Sequence, residues 1–351
     1  MRRLLQAPRN PEMLGRLIAA LRVFGGQRQP KNELERSINE ALRAQKLAPA
    51  AVNRMVGTFD SISKSARVTL LGKIAAPDFV AAARVEEPTV APLVTPFPAT
   101  AFISSSGLLG ALSEVLSRNP DVTPLPLYTV RYQGLYCQKE MSWDQGSWDD
   151  EVYLITSAVH IDADGNNIVR TERHPATQDE SFYDDVDSGE ERIGPVAAVW
   201  QGNSDPVSVT VVVFEHDQGD PDAYKEEIDT LVKAAIAILS KIYPPAAVLA
   251  LISDTITDGI NWLIDTDDDI ISTETVVLPR VLLELYSTQG FHSFHFGQRL
   301  DISHFPQITI VPVTTHLLYH FITTHRGGGA NYVVGFDVAR DPPLQLPQPI
   351  L

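Results

Sequence analysis

The sequence predicts an α+β fold: an N-terminal helical segment followed by an antiparallel β-sandwich with an inserted helical hairpin. Three observations lead there. Apolar residues recur at helical spacing up to about residue 75, and from about residue 124 the period changes to two. The period-two runs are separated by clusters of Gly, Pro, Asp and Asn, in a chain holding 25 Pro and 21 Gly. One stretch, about 222–263, returns to helical spacing between two strand-like runs. At 351 residues, 44% hydrophobic and 21% charged, the chain can bury a full core in one large domain and a smaller one.

The first helix is read from "PEMLGRLIAALRVF", where Leu14, Leu17, Ile18, Leu21 and Phe24 share a face and Gly25-Gly26 stop the run. A second follows in "NELERSINEALRAQKLA", with Asn32 as its cap and Leu34, Ile38, Ala41 and Leu42 on one side. "APAAVNRMVGTFDSISKSARVTLLGKI" supplies a third helix and a fourth, and such short amphipathic helices bury their stripes on one another. Residues 1–84 are therefore expected to form a basic helical domain. The four prolines of "VEEPTVAPLVTPFPAT" make 85–100 an extended linker, because proline removes amide donors. An acidic sandwich domain is expected over 101–351. It opens with a short helix in "SGLLGALSEVLSRNPD", ended by Asn119-Pro120.

Strands are expected in "LPLYTVRYQGLYCQKE", "DEVYLITSAVHID", "NNIVRTER", "IGPVAAVW", "SVTVVVFEHD", "TETVVLP", "VLLELY", "ITIVPVTTHLLYHFITTH" and "NYVVGFDVAR". Such a series indicates a β-sandwich. The hairpin insertion is "PDAYKEEIDTLVKAAIAILSKIY", with a capped acidic start, then Pro244-Pro245 and "AAVLALISDTITDGINWLI".

Charge is uneven along the chain. Residues 1–75 hold 14 Lys and Arg against 5 Asp and Glu, while the remaining 276 hold 14 against 39. Two readings stay open: separate surfaces for different partners, or basic helices that pack on the acidic region and neutralise part of it. The acidic domain would repel phosphates, which argues against nucleic acid as its partner. No apolar run reaches the roughly 18 residues of a membrane span. The amphipathic start lacks the h-region and cleavage site of a secretory signal and reads as an ordinary helix start, with a transit peptide or membrane-surface helix left open. The compartment is not fixed by the sequence, a cytoplasmic protein or one exported without a cleaved signal fitting it. Cys137 is the single cysteine, which excludes an intrachain disulfide and fits a reducing compartment.

Acidic clusters stand at predicted strand ends: "WDQGSWDDE", "DADGN", "DESFYDDVDSGEE", "EHDQGDPD" and "DTDDD". Calcium takes six to eight hard oxygen ligands, which converging sandwich loops can supply. The site expected from 215–222 joined with 265–269 comprises Glu215, Asp217, Asp220, Asp265, Asp267 and Asp268. Over 208–220 and 265–279 the chain resembles a C2 domain, in which an apolar strand ends in an Asp-x-Asp-like turn and an Asp-Asp-aliphatic-Ile-Gly segment leads into the next strand. The resemblance implies calcium ligation by Asp217 and by one or more of Asp265, Asp267 and Asp268, and with it phospholipid binding. It departs from that pattern in two ways: the helical hairpin separates the halves, and Ser272 stands where glycine is expected.

Other motifs point to structure rather than chemistry. Counting from Asp162, the twelfth position is Arg173 where an EF-hand needs a bidentate Glu, so "DADGN" reads as a hairpin tip with Gly165 at positive φ. The run 179–191 reads as a flexible acidic loop. Six of the nine histidines follow residue 290; on a strand, His316 and His320 would lie about 13 Å apart, too far to share a zinc. Cys137 reads as a core residue, "RGGGANY" as a hairpin turn, and Trp143 and Trp148 as edge tryptophans. No nucleophile elbow, P-loop or zinc-protease signature is present, and the sequence favours a protein that is not an enzyme.

The function expected is a binding module whose calcium-dependent acidic loops present a surface to a protein partner or an anionic lipid surface. Two alternatives stand beside it. One is a metal-independent structural, assembly or cargo protein that docks through its basic helices. The other is a membrane-active protein, pore-forming or lipid-binding, that inserts its helical hairpin. Oligomerisation is left open by the sequence.

Overall fold

The computed structural model describes residues 7–71, 126–141, 150–162, 164–176, 181–217, 219–243, 245–265, 268–287, 300–301, 309–310 and 320–341. Four helices come first: α1 (Pro11–Phe24), α2 (Glu33–Ala44), α3 (Pro49–Ser61) and α4 (Lys64–Leu71). Then follow β1 (Leu127–Lys139), β2 (Asp150–Ile161), β3 (Asn167–His174), β4 (Tyr183–Val186), β5 (Glu191–Gly202) and β6 (Val207–Glu215). The helical pair α5 (Pro221–Ile242) and α6 (Pro245–Leu263) is inserted before β7 (Asp269–Leu278). Helix α7 (Arg280–Ser287) and strands β8 (Leu300–Asp301), β9 (Thr309–Ile310), β10 (Phe321–Gly327) and β11 (Ala330–Asp341) complete the order. The fold class is thus α+β, with N-terminal helices ahead of two antiparallel sheets and a helical pair set between strands. The linker at 85–100 and the helix expected after it lie outside the described residues.

The compact units do not follow chain order. One gathers Met1–Val90, Tyr153–Arg173 and Ser208–Thr275; the other gathers Ala91–Val152, His174–Val207 and Val276–Leu351. The basic helical segment therefore shares its unit with the inserted hairpin.

In the first unit, α1, α2 and α3 pack against α5 and α6. Their stripes supply Leu17, Leu21, Ile38, Leu42, Met55 and Phe59 to a core completed by Ile228, Leu231 and Trp262, all at most 1% exposed. The ends are set locally. The Asn32 side chain accepts from Glu35 N at 2.9 Å and caps α2, while Gly25 N closes α1 onto Leu21 O at 2.8 Å. Basic and acidic segments also meet here. Arg54 on α3 pairs with Glu226 at 3.2 Å and with Glu227, and Arg9 pairs with Asp254 at 3.5 Å and donates its amide to Asp258 at 2.8 Å. Part of the N-terminal positive charge is thus used inside the molecule.

Glu227 is buried, and burial pushes its carboxyl upward while Arg54 opposes that shift. Arg54→Ala leaves this carboxylate without its cation and is expected to cost about 2 kcal/mol at neutral pH, reduced from the fully buried case because Arg54 is half exposed. A raised carboxylate pKa means that the folded state takes up the proton first. The deficit should therefore shrink as pH falls and Glu227 becomes neutral, which urea denaturation at pH 7 and pH 4 would measure.

Of the two larger sheets, one runs β10-β11-β1-β5 and the other runs β3-β2-β6-β7 with β4 paired to β2, while β8 and β9 pair with each other separately. Strand β6 is buried on both faces up to Phe214, which its Val-rich sequence permits. Within the second unit, β1 meets the β2–β4 corner. The Tyr132 and Tyr183 hydroxyls are 2.8 Å apart, and the Tyr183 hydroxyl donates to Gly194 O at 2.5 Å. Asp150 accepts from the Tyr332 hydroxyl of β11 at 2.5 Å and from Met141 N at 2.8 Å. Cys137 is wholly buried, and burial pushes its thiol up to about 12, as befits a core residue.

Two sequence expectations are corrected. "VLLELY" is helix α7 rather than a strand: Pro279 O receives Leu282 N and Leu283 N at 2.9 and 3.2 Å, and Leu283 and Tyr286 turn inward one helical turn apart. The acidic run 179–191 contains β4, whose Tyr183 and Val186 are buried on either side of two exposed aspartates. The hairpin tip at 162–166 forms as expected, with Asp162 Oδ1 accepting from Asp164 N at 2.9 Å and Asn166 N at 2.7 Å, and Gly165 at φ 81°. "RGGGANY" is the turn between β10 and β11. His292, His295, His304 and His316, like Trp143 and Trp148, lie outside the described residues.

Candidate functional site

The site lies where β6 ends and β7 begins, within the first unit. Glu215 is the last residue of β6, His216, Asp217, Gly219 and Asp220 lie between it and α5, and Asp268 leads directly into β7. Asp268, the last residue before β7, is 2% exposed, whereas Asp269, the first residue of β7, is open to water. Glu215, at the end of β6, and Asp217, in the bend that follows it, bring their carboxylates close together.

Asp268 is the structural centre. Its Oδ1 accepts from Asp217 N at 3.0 Å and Gly219 N at 2.7 Å. Its Oδ2 accepts from the Tyr153 hydroxyl at 2.8 Å and from His216 Nδ1 at 3.1 Å, so Nδ1 carries the hydrogen. Four donors match the four lone-pair positions of a carboxylate, which leaves no oxygen direction for a metal. Burial alone would raise this carboxyl, but the bonds from His216, Gly219 and Tyr153 outweigh it and hold the group below the ordinary carboxylate range.

The surrounding residues fix this geometry. Tyr153 stacks on Phe214 with ring centroids 4.7 Å apart, and His216 meets its edge at 6.1 Å. Burial, followed by the charge of Asp268, pushes the Tyr153 phenol strongly upward, so it remains a donor. Gly219 lies against Tyr224 and Asp268. A Cβ there would come within 2.5 Å of the Tyr224 hydroxyl and 2.7 Å of Asp268 Oδ2, so a larger residue would have to push the Tyr224 ring and the Asp268 carboxylate aside.

On the outer side, carboxylate oxygens of Glu215, Asp217 and Asp269 all lie within 4.8 Å of one another. Among the described residues this is the grouping of three ligand-type side chains that could hold a metal ion. Glu215 is half buried, and the other two are exposed.

The structure distributes the six expected residues among different tasks. Glu215 and Asp217 come together, with Asp269 as their third member. Asp220 caps α5, accepting from Asp222 N at 3.0 Å and Ala223 N at 3.3 Å. Asp265 is exposed at the end of α6, and its charge reaches Glu227. Asp268 is the buried acceptor, and Asp267 lies outside the described residues. Asp269 lies outside the six residues the sequence points to, and period-two alternation gives no signal for it, since Asp269 is exposed while Ile271, two positions on, is buried.

Comparison with protein-family models, with curated proteins and with solved structures found no match to this chain.

Proposed function

We propose that the chain is a non-enzymatic binding module that holds a hard divalent cation, calcium by its ligand chemistry, at Glu215, Asp217 and Asp269. The observation that carries the reading is the mutual 4.8 Å separation of their oxygens. Oxygens bound at about 2.3–2.6 Å to one calcium ion are at most about 5 Å apart. The reading keeps the C2-like pairing of Asp217 with the Asp265–Asp269 run and assigns the second strand's ligand to Asp269. Three carboxylates leave the remaining positions to water and carbonyl oxygens. An open site of this kind belongs with weak binders, at roughly 10⁻⁴–10⁻³ M. The ion offsets repulsion among the three charges and orders the loop end as a surface for a protein partner or an anionic lipid.

The alternative of docking through the basic helices draws less support, because Arg9 and Arg54 are engaged by acidic residues of the same unit. The membrane-insertion alternative gains no support from helix composition: among the described residues no helix is long and apolar enough to cross a membrane.

Calorimetric titration with Ca²⁺ tests the reading. Heat of binding and a rise in Tm are expected in the native chain, and both should vanish in the Asp217→Asn, Asp269→Asn double variant. No heat and no change in Tm at 10 mM Ca²⁺, roughly ten times the weakest expected Kd, would remove the proposal.

A further inference from the structure

We draw no further inference here: the strongest candidate, the groove between β3 and the first turns of α5 lined by Thr171, Asp222, Lys225, Glu226 and Asp229, carries nothing because its charged side chains already pair internally, with Arg173, Glu172, Arg54 and Lys233 respectively, and no unsatisfied group there selects a ligand.

Discussion

Asp268→Ala is expected to destabilise the first unit by about 3–5 kcal/mol, the range for removing one partner from a buried charged network. The side chain is buried, so water does not replace it at the Tyr153 hydroxyl, His216 Nδ1, Asp217 N and Gly219 N. Asp268→Asn should recover little, because an amide turns two donor hydrogens towards groups that themselves donate. The pH dependence has a definite sign. The folded carboxyl is held below its unfolded value of about 3.9. Its stabilisation is fully present above that value and is lost as pH falls through the lower folded value. The native chain should therefore lose stability on acidification below about pH 4, and the Asp268→Ala variant should lack that component of the acid response. Chemical denaturation across pH 2–7 measures both effects, and equal acid slopes in the two proteins would contradict the assignment.

Gly134→Ala is expected to cost about 3 kcal/mol, at the upper end of overpacking penalties, and for a reason unconnected with the acidic site. Gly134 sits at a register shift where β1 pairs with β5. A Cβ there would run into the Arg192 carbonyl oxygen, with Ile193 Cα at 3.2 Å and Arg192 C at 3.3 Å. These are backbone atoms of a paired strand, so no rotamer change relieves the contact. Gly57→Ala in α3 is the control: no heavy atom lies within 4 Å of the added carbon, and alanine in a helix should stabilise by about 0.5–1 kcal/mol. Urea melts of the two variants should move in opposite directions. A neutral Gly134→Ala would show that the two strands can separate there without penalty.

Much of the architecture was legible because local signals agreed. The Asn32 cap, the Gly25 stop and the Val-rich β6 each combine composition with the correct period, and the structure forms all three elements. Helix α7 was missed because a short apolar run satisfies both periods; what decides it is the start after Pro279 and the Asp205 side chain accepting Arg280 N at 2.8 Å. Strand β4 was missed because only its end residues are buried, so its composition is that of a loop.

The site was legible in outline. A dense aspartate run beside apolar flanks was read as one set of like-minded ligands. Its neighbours in fact part where the chain enters β7: Asp268, just before the strand, serves the interior, and Asp269, its first residue, the solvent side. Nothing in the sequence shows that four donors from two segments close around Asp268, since Tyr153 stands 115 residues away.

Crystals of the native chain grown with Ca²⁺ and examined for anomalous scattering give the most direct test of the proposed cation site. The expected result is one peak within about 2.3–2.6 Å of oxygens from Glu215, Asp217 and Asp269, with Asp268 still bonded to Tyr153 and His216. A peak coordinated by Asp268, or none at saturating Ca²⁺, would contradict the account.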